Sequence, residues 1–309
     1  MLIDPANALK ITWHALTSRD HPLLAHLVVT RRCNLECGYC SEYDAYSPPV
    51  PVERLRQRVR ELARLKTLMM ACTGGEPLLH PDIAEVIREV RRNRIIAMIT
   101  TNGYPVTRRL IRELNDAGLQ ALQISIDNVD PDAASSKSLT RLDGKLRLLR
   151  ELAEFRVNVN SVLGAGEGNP MDVVTIARRA MHYGFSHSVG IVHDASGSSR
   201  VLSDEQRAAY HRVRRMSKAF INSLNYWVFQ RRLLAGEIDS WRCRAGARYL
   251  YICEDGLVHW CSQQRGYPAI PIEQYDTASI RASFEAPKPC SRNCSVTCVR
   301  QVSMFDIGR

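Results

Sequence analysis

Three cysteines stand close together near the N-terminus, in the segment TRRCNLECGYC: Cys33, Cys37 and Cys40. Thiolates bind soft metals and iron–sulfur clusters, and three of them on one loop can ligate three irons of a 4Fe–4S cube. The fourth iron then has no protein ligand and is open to a substrate, like the open position of a catalytic zinc. A structural zinc ion would require a fourth Cys or His nearby, and the segment has none. The spacing therefore predicts a cluster with one open iron.

The composition is that of a globular protein. The chain has 309 residues, of which 45% are hydrophobic and 24% charged. These values exclude intrinsic disorder, a collagen-like repeat and a coiled coil. Its apolar runs are too short for a membrane-spanning helix, and its N-terminus does not read as a secretory signal. We therefore expect a cytoplasmic protein, in which ten clustered cysteines indicate metal binding rather than disulfides.

The net charge of +10 leaves several partners open. A nucleic acid, an anionic membrane surface or an acidic electron donor would each be attracted to it, and a solvated basic exterior gives the same value. The sequence has no interleaved aromatic and basic motif of the usual RNA-binding types. Nucleic acid is therefore the least favoured of these partners.

Short β-type runs alternate with helical patterns from residue 24 to about 193. We predict strands over 24–30, 67–73, 94–101, 119–127, 156–163 and 186–193. Apolar residues at helical spacing predict helices over 52–65, 83–90, 105–117, 142–152 and 170–183. Six consecutive βα units imply an α/β fold with parallel strands and right-handed crossovers, and their number predicts a partial (βα)6 TIM-like barrel. Functional residues of such barrels lie at the carboxyl ends of the strands, and the three cysteines directly follow strand one.

The chain changes character after the predicted barrel. Ser203 with Gln206 three residues later forms a capping-box pattern, which predicts a helix over about 204–235 that ends at Gly236. The basic face of this helix is either a solvated surface or a peripheral contact for an anionic membrane or an acidic partner. We divide the chain into an N-terminal extension (1–23), the barrel (24–238) and a small Cys-rich α+β domain (239–309).

The cysteine motif and three later segments together resemble the radical SAM superfamily, in order and spacing over about 24–195. The segments are Gly74-Gly75-Glu76-Pro77 after strand two, Thr101-Asn102-Gly103 after strand three and Ile124-Ser125-Ile126-Asp127 at the end of strand four. The resemblance implies an enzyme that binds a 4Fe–4S cluster through Cys33, Cys37 and Cys40, with S-adenosylmethionine (SAM) on the open iron. It further implies reductive cleavage of SAM to a 5′-deoxyadenosyl radical, which abstracts hydrogen from, or adds to, an unactivated carbon.

The resemblance also assigns contacts to the methionyl end of SAM. The glycines of Gly74-Gly75-Glu76-Pro77 would let the backbone approach the methionyl amine closely, and Glu76 or adjacent carbonyls would accept its hydrogen bonds. Asn160 and Ser161, at the end of strand five, would reach the ribose or the carboxylate. Asn160 has an alternative role as a polar barrel residue that satisfies backbone groups.

A second set of contacts concerns the adenosine part of SAM. Ser125 and Asp127 would meet the ribose hydroxyls, with Asn102 as a neighbour. Tyr39, which precedes the last cysteine as is common in the family, would pack near the adenine.

The tail carries a second group of cysteines. Cys243, Gly256 and Cys261 have a C-x12-G-x4-C spacing, which resembles the opening of the SPASM/twitch extension of radical SAM enzymes. Cys290, Cys294 and Cys298 follow. Since the full SPASM pattern has seven cysteines and a segment that is absent from this chain, the resemblance implies one auxiliary 4Fe–4S cluster rather than two. Zinc in an all-cysteine site is the alternative.

Cys253 is expected to stay outside that cluster. The segment YLYIC-EDG-LVHWC predicts a β-hairpin with Glu-Asp-Gly as its turn. If residue 253 pairs with residue 257, Cys261 lies opposite Tyr249, about 13 Å from Cys253 at roughly 3.3 Å per residue. One cube cannot accept both thiolates, so we expect Cys253 to be structural.

Two further side chains are candidates for chemistry. Cys72 directly precedes the glycine-rich segment and is either a small buried core residue or a hydrogen-atom donor to a substrate radical. His193 ends strand six and is either a polar residue at the barrel mouth or an acid–base group near the substrate.

The substrate is the least determined feature. Only about 23 residues precede strand one, which leaves no room for the peptide-recognition domain of many peptide-maturing relatives. We expect a small-molecule or lipid-like substrate, as in the twitch enzymes that oxidise cyclitols or, more loosely, the adenosylhopane synthases. A SPASM-type peptide maturase is the alternative, and the family implies an electron donor such as flavodoxin or ferredoxin. In a different class, a Cys-rich metal-binding module on nucleic acid would explain the thiols but not the barrel motifs.

Overall fold

The structure is a computed structural model that describes residues 5–164, 168–192, 201–216, 226–237 and 241–306. Its strands are β1 (Leu24–Thr30), β2 (Met69–Gly74), β3 (Ile96–Thr101), β4 (Ala121–Ser125), β5 (Arg156–Leu163), β6 (Ser186–Ile191), β7 (Tyr249–Ile252), β8 (Leu257–His259) and β9 (Pro268–Pro271). Its helices are α1 (Pro5–Thr17), α2 (Val52–Arg64), α3 (Ile83–Arg92), α4 (Arg108–Asp116), α5 (Leu139–Leu152), α6 (Asp172–His182), α7 (Asp204–Met216), α8 (Arg231–Leu234), α9 (Thr277–Glu285) and α10 (Thr297–Ser303).

The predicted barrel is confirmed. Strands β1 to β6 pair in parallel in chain order, and helices α2 to α6 connect them. The six predicted strands and five predicted helices are all present, with their ends within three residues of the predicted ones. Because all six strands run the same way, their carboxyl ends lie along one edge of the sheet, where the candidate residues follow them.

The sheet has a helix-facing side that forms the main core. Leu27, Cys72 and Ile99 are register partners on β1, β2 and β3 and are at most 1% exposed. They share one core cluster with Leu55 and Val86 of the surrounding helices. Alternation along each strand then sends the intervening side chains to the opposite, inner face of the barrel.

The inner face of β4, β5 and β6 is polar. Its side chains form two rows in register: Gln123, Asn158 and Ser186, and one step further along, Ser125, Asn160 and Ser188. By contrast, β1, β2, β3 and β7 contribute mostly apolar side chains to a second core cluster, among them Leu24, Val28, Met69, Ile96 and Tyr249. The barrel interior therefore has an apolar half and a hydrogen-bonding half.

The Cys-rich tail extends the barrel sheet. Strand β7 pairs in parallel with β1, and β8 and β9 follow as antiparallel strands at that edge. The predicted hairpin register is confirmed, because Tyr251 pairs with His259 and Ile252 with Val258. Continued two residues beyond the end of β8, the same register would put Cys261 opposite Tyr249, and both residues lie in one buried cluster. The predicted boundary at 238/239 lies outside the described residues.

Helices α1 and α7 lie outside the barrel units. α1 was not predicted, and the buried Arg248 holds it to the tail by donating to the Ala15 carbonyl (2.7 Å) and pairing with the fully buried Asp306 (2.8 Å). The capping box before α7 is confirmed, since Ser203 and Gln206 exchange side chain–backbone hydrogen bonds of 2.9 and 3.2 Å. The middle of the predicted 204–235 helix is outside the described residues.

Within the described ranges, no helix combines the length and apolarity needed to cross a membrane.

Candidate active site at the carboxyl ends of the strands

The three N-terminal cysteines lie on the loop between β1 and α2. Cys37 is buried, Cys33 and Cys40 are half-buried, and all three are free thiols. The Cys40 amide donates to the Cys37 carbonyl (2.9 Å), which closes a tight turn between them. Burial raises the pKa of Cys33 and of Cys40. The thiols therefore need a metal or a nearby positive charge to become the thiolates that bind metal.

The glycines after β2 are packed against this cysteine loop. The Gly75 amide donates to the Thr30 carbonyl (2.8 Å) and the Glu76 amide to the Arg32 carbonyl (2.9 Å). A Cβ on Gly75 would lie 2.3 Å from the Arg31 carbonyl oxygen and 2.4 Å from that of Arg32. Two backbones can approach this closely only where the side chain is absent. The glycines thus fix the position of the loop that carries Cys33.

The Glu76 carboxylate joins two loops inside the protein. It is fully buried and accepts hydrogen bonds from the Leu78 amide (2.9 Å), the Thr101 hydroxyl (2.6 Å) and the Asn102 amide (2.7 Å). Burial raises its pKa to about 7, against the opposing effect of these donors. The Glu76 carboxylate has no exposed surface and cannot accept a hydrogen bond from a ligand amine. Of the two predicted acceptors for the methionyl amine, the adjacent backbone carbonyls therefore remain. Pro77 is also buried, at the start of a short 3-10 turn.

Asn102 contacts the cysteine loop directly. Its Nδ2 donates to the Asn34 side chain (2.8 Å) and lies 3.7 Å from the Cys33 sulfur. Its Oδ1 accepts from the Tyr104 amide (3.0 Å). The side chain is therefore committed to Cys33 and its neighbours, which is a different role from the predicted one beside a ribose.

The loop between β4 and α5 closes over the other two cysteines. The Tyr39 hydroxyl donates to Asp127 Oδ2 (2.5 Å), which also accepts from the Ser135 hydroxyl (2.7 Å) and pairs with Lys137 (3.1 Å). The Ser135 hydroxyl in turn lies 3.8 Å from the Cys37 sulfur. Sequence reasoning found Tyr39 and Asp127 but missed Ser135 and Lys137, because nothing in their spacing distinguishes them from ordinary loop residues.

Asp127 retains one oxygen for a ligand. Its Oδ1 is buried and has no hydrogen-bond partner among the described residues. The residue Asp127 lines, together with Ser135 and Val162, a cavity of about 40 Å³, which has room for a water-sized polar group. A buried acceptor without a donor is costly, so a hydroxyl or ammonium group is expected to meet it.

Strand β5 divides its two candidates between the two faces of the sheet. Asn160 is on the polar inner face, opposite Ser125 in register, and accepts from the Ser188 hydroxyl (2.9 Å). Ser161 points the other way: it is fully buried, donates to the Ile126 carbonyl (2.7 Å) and contacts His187 (3.1 Å). The prediction that Ser161 reaches a ribose or carboxylate is therefore wrong, since neighbouring strand residues face opposite sides.

Cys72 and His193 are the two further candidates for chemistry, and the structure describes the first of them. Cys72 is fully buried among apolar side chains on the helix-facing side of β2. It is therefore a core residue, and the hydrogen-donor alternative is wrong because the side chain faces away from the barrel interior. His193 lies outside the described residues.

Most of the candidate tail cysteines lie in or against one buried cluster that includes Tyr249. Cys261 and Cys294 belong to this cluster, and Cys243 and Cys298 pack against it. Cys290 interacts electrostatically with Cys243 and Cys294. Burial raises the pKa of each thiol, and the Tyr249 hydroxyl bonds to Cys298. Cys253 contacts the Arg31 guanidinium (3.5 Å).

Sulfur spacing in the tail differs from that of a zinc site. Four thiolates at about 2.3 Å from one zinc ion are roughly 3.8 Å apart. In the described part of the chain, no three of these thiols lie within 4.8 Å of one another. The group that does meet this spacing is Cys253, Asp255 and His259. In that group, His259 Nδ1 accepts a hydrogen bond from the Gly266 amide (3.0 Å), which places the proton of the neutral ring on Nε2. Neither ring nitrogen then has a free lone pair for a metal ion.

The tail also holds the cysteine loop electrostatically. Arg31 pairs with Glu254 of the hairpin turn (2.8 Å) and with Glu42 (3.6 Å), two residues after Cys40. Glu42 also accepts from the Tyr251 hydroxyl and pairs with Arg265 (3.2 Å). The tail therefore helps to position the loop, a role that the sequence did not indicate.

Comparison with known proteins identifies the barrel. The model of the radical SAM superfamily matches residues 27–194. A GTP 3′,8-cyclase of Aeromonas hydrophila is 34% identical over 152 residues, which cover 45% of this chain and 41% of that protein. A GTP 3′,8-cyclase of Aquifex aeolicus is 31% identical over 211 residues, or 62% of this chain and 65% of that protein. The matches thus span less than two thirds of these relatives.

Solved structures agree on the fold over most of the chain. Streptococcus suis SuiB bound to S-adenosylmethionine superposes with a TM-score of 0.63 at 15% identity, over 94% of this chain and 75% of SuiB. Native anSMEcpe with bound AdoMet and Cp18Cys peptide gives a TM-score of 0.61 at 16% identity, over 89% of this chain and 88% of that one. At such identities the likeness concerns the fold alone.

Proposed function

The chain belongs to the radical SAM superfamily and is an enzyme, and we propose that Cys33, Cys37 and Cys40 hold its 4Fe–4S cluster. The observation that carries this proposal is the placement of all three thiols on one loop, enclosed by the glycines after β2, by Asn102 and by the β4–α5 loop. When bound, the cluster and SAM together supply the reductive cleavage that gives methionine and a 5′-deoxyadenosyl radical.

The residues around the thiols would hold SAM by its polar groups. Asp127 offers its unpartnered Oδ1 to a ribose hydroxyl, and Ser125 and Asn160 lie side by side on the inner face next to it. Tyr39 is held by its hydrogen bond to Asp127 (2.5 Å), and its ring would pack near the adenine. The backbone carbonyls next to Gly75, rather than the buried Glu76 carboxylate, would accept from the methionyl amine.

The tail thiols would hold one auxiliary 4Fe–4S cluster. Support for this part comes from the grouping of the tail thiols, since Cys243 and Cys298 pack against the buried cluster that holds Cys261 and Cys294, and Cys290 interacts with Cys243 and Cys294. At least four thiols saturate such a cluster, so it would act in structure or electron transfer rather than bind SAM. A flavodoxin or ferredoxin would supply the electron to the barrel site.

The substrate we propose is a small polar molecule. The Ser188 hydroxyl and the Asn158 and Asn160 amides form a hydrogen-bonded row on the inner face of the barrel, with distances of 2.8 and 2.9 Å. Such a surface suits hydroxyl, amide or ring nitrogen groups better than a hydrocarbon, because a hydrocarbon would remove water from these polar side chains without offering hydrogen bonds in return. The curated relatives are named for a reaction of GTP, which is a small polar molecule. A lipid-like or peptide substrate is the alternative.

Anaerobic reconstitution with iron and sulfide tests this assignment. We expect iron and sulfide each near eight per chain, and an electron paramagnetic resonance (EPR) signal of the reduced protein that changes when SAM is added. The triple replacement of Cys33, Cys37 and Cys40 by Ala should remove about four irons and the SAM-sensitive signal. If the SAM-sensitive signal survives in the triple variant, the assignment is wrong. Iron that binds without any SAM effect would favour the metal-binding module instead.

A further inference from the structure

Lys137 is a buried positive charge beside the cysteine loop. It lies on the β4–α5 loop, and its side chain is 13% exposed. The ammonium group donates to the Tyr39 hydroxyl and lies 4.9 Å from the centre of the Tyr39 ring. Its carboxylate partner is Asp127, at 3.1 Å. Burying a lysine is unfavourable unless the charge is paired, and Asp127 supplies that pairing here.

Lys137 carries its positive charge beside the cysteine loop. Burial alone would lower its pKa, but the neighbouring Asp127 and Tyr39 raise it well above the usual range. Tyr39, which the ammonium group contacts, directly precedes Cys40 and is two residues from Cys37. The charge is therefore held at the segment that carries two of the three proposed ligands of the cluster.

The same loop holds the ammonium group at a fixed place. The Ala134 carbonyl accepts from the Gly38 amide (3.0 Å), between Cys37 and Cys40 in the sequence. Ser135 bonds to Asp127 (2.7 Å) and lies close to the Cys37 sulfur. Lys137, Asp127 and Tyr39 thus form one unit with the loop that they face, and the positive charge has little freedom to move away.

We propose that Lys137 is a positioning residue that compensates the negative charge of the thiolates of Cys37 and Cys40 and raises the reduction potential of the cluster they hold. This inference rests on the function proposed above. Reduction adds one negative charge to a site that already carries three thiolates. A fixed positive charge within several ångströms favours the reduced state, since Coulomb energies are large where water is partly excluded. Net charge near the metal is an established determinant of iron–sulfur potentials.

Lys137→Met tests the charge, and Lys137→Arg tests whether any positive charge at this place suffices. The matched control is Lys145→Met, because Lys145 is half-buried on α5 and donates to the Val106 carbonyl (2.7 Å), away from the thiols. The reconstituted proteins are titrated with reductant at fixed poises, and the EPR signal that responds to SAM is followed. That signal distinguishes the barrel cluster from any cluster in the tail.

At the wild-type midpoint, we expect the ratio of reduced to oxidised cluster in Lys137→Met to be about tenfold lower, which is 59 mV for a one-electron couple. Lys137→Arg and Lys145→Met should stay near the wild-type value. If Lys137→Met binds no iron, retention of iron by Lys137→Arg supports the same charge compensation. An unchanged midpoint in Lys137→Met overturns the inference, as does loss of iron in both Lys137 variants. Absence of a SAM-sensitive signal in the wild type would instead count against the proposed function.

Discussion

Replacing Gly75 by Ala should displace the cysteine loop, although Gly75 itself lies in the neighbouring loop after β2. The new Cβ would lie 2.3 Å from the Arg31 carbonyl oxygen and 2.4 Å from the Arg32 carbonyl oxygen, and Cβ atoms essentially never approach closer than 3.0 Å. Both contacts are to backbone, so the loop must move by about 1 Å rather than turn a side chain aside. Overpacking of this kind costs about 1–3 kcal/mol of unfolding free energy.

The matched control is Gly38→Ala, which changes the cysteine loop itself. An added Cβ on Gly38 meets nothing within 4 Å, so this variant has the same chemical change without the clash. We expect unfolding free energies within about 0.5 kcal/mol of wild type for Gly38→Ala. For Gly75→Ala we expect, in addition to lower stability, a loss of about four irons per chain, because Cys33 directly follows Arg32.

The assay combines iron analysis after anaerobic reconstitution with denaturant unfolding of the metal-free proteins. Iron content tests the placement of the loop, and unfolding tests the cost of the clash. If Gly75→Ala matched Gly38→Ala in both measurements, the close approach of the two loops would not be what positions Cys33, and this reasoning would be refuted.

Three further predictions concern the tail and the buried carboxylate. Cys253→Ala should leave total iron nearly unchanged, and a loss of about four irons would show that this thiol ligates a cluster. The double variant Cys243→Ala, Cys261→Ala should lose product formation or tail stability yet still permit some cleavage of SAM, whereas full product formation would make the tail cluster dispensable. Burial raises the pKa of Glu76 to about 7. Ionising this carboxyl in the folded protein therefore lowers the free energy of unfolding: the loss is zero below pH 4.5, grows as the pH rises and is complete above about pH 7. Metal-free Glu76→Gln should therefore gain about 3 kcal/mol relative to wild type between pH 4.5 and pH 8 in denaturant unfolding, and a pH-independent difference would contradict the buried, proton-binding carboxylate.

The barrel could be predicted because its signals are local. Apolar alternation and helical spacing identify each βα unit, and the short motifs follow the strands to one edge of the sheet. The hairpin register was also predictable, since Glu-Asp-Gly fixes the turn and the turn fixes the pairing of Tyr251 with His259. Helix α1 had no such signal, because it is stabilised by Arg248 and Asp306 from the far end of the chain.

Side-chain roles were harder to predict than strands. Ser161 and Asn160 are adjacent in sequence, and only the strand register shows that one faces the helices and the other the interior. Glu76 belongs to a motif, yet its carboxylate is used to join two loops. Lys137 lies in a loop without any pattern, and its significance appears only when Tyr39 and Asp127 are seen beside it.

The central claim is that SAM is cleaved at a cluster held by Cys33, Cys37 and Cys40, and product analysis tests it most directly. Reconstituted wild-type protein is incubated with SAM and dithionite, and 5′-deoxyadenosine is quantified by mass spectrometry beside the three single Cys→Ala variants. We predict 5′-deoxyadenosine from the wild type and none above background from any variant, with unchanged circular dichroism showing that the barrel still folds. Normal 5′-deoxyadenosine formation by any one of these variants would contradict the account.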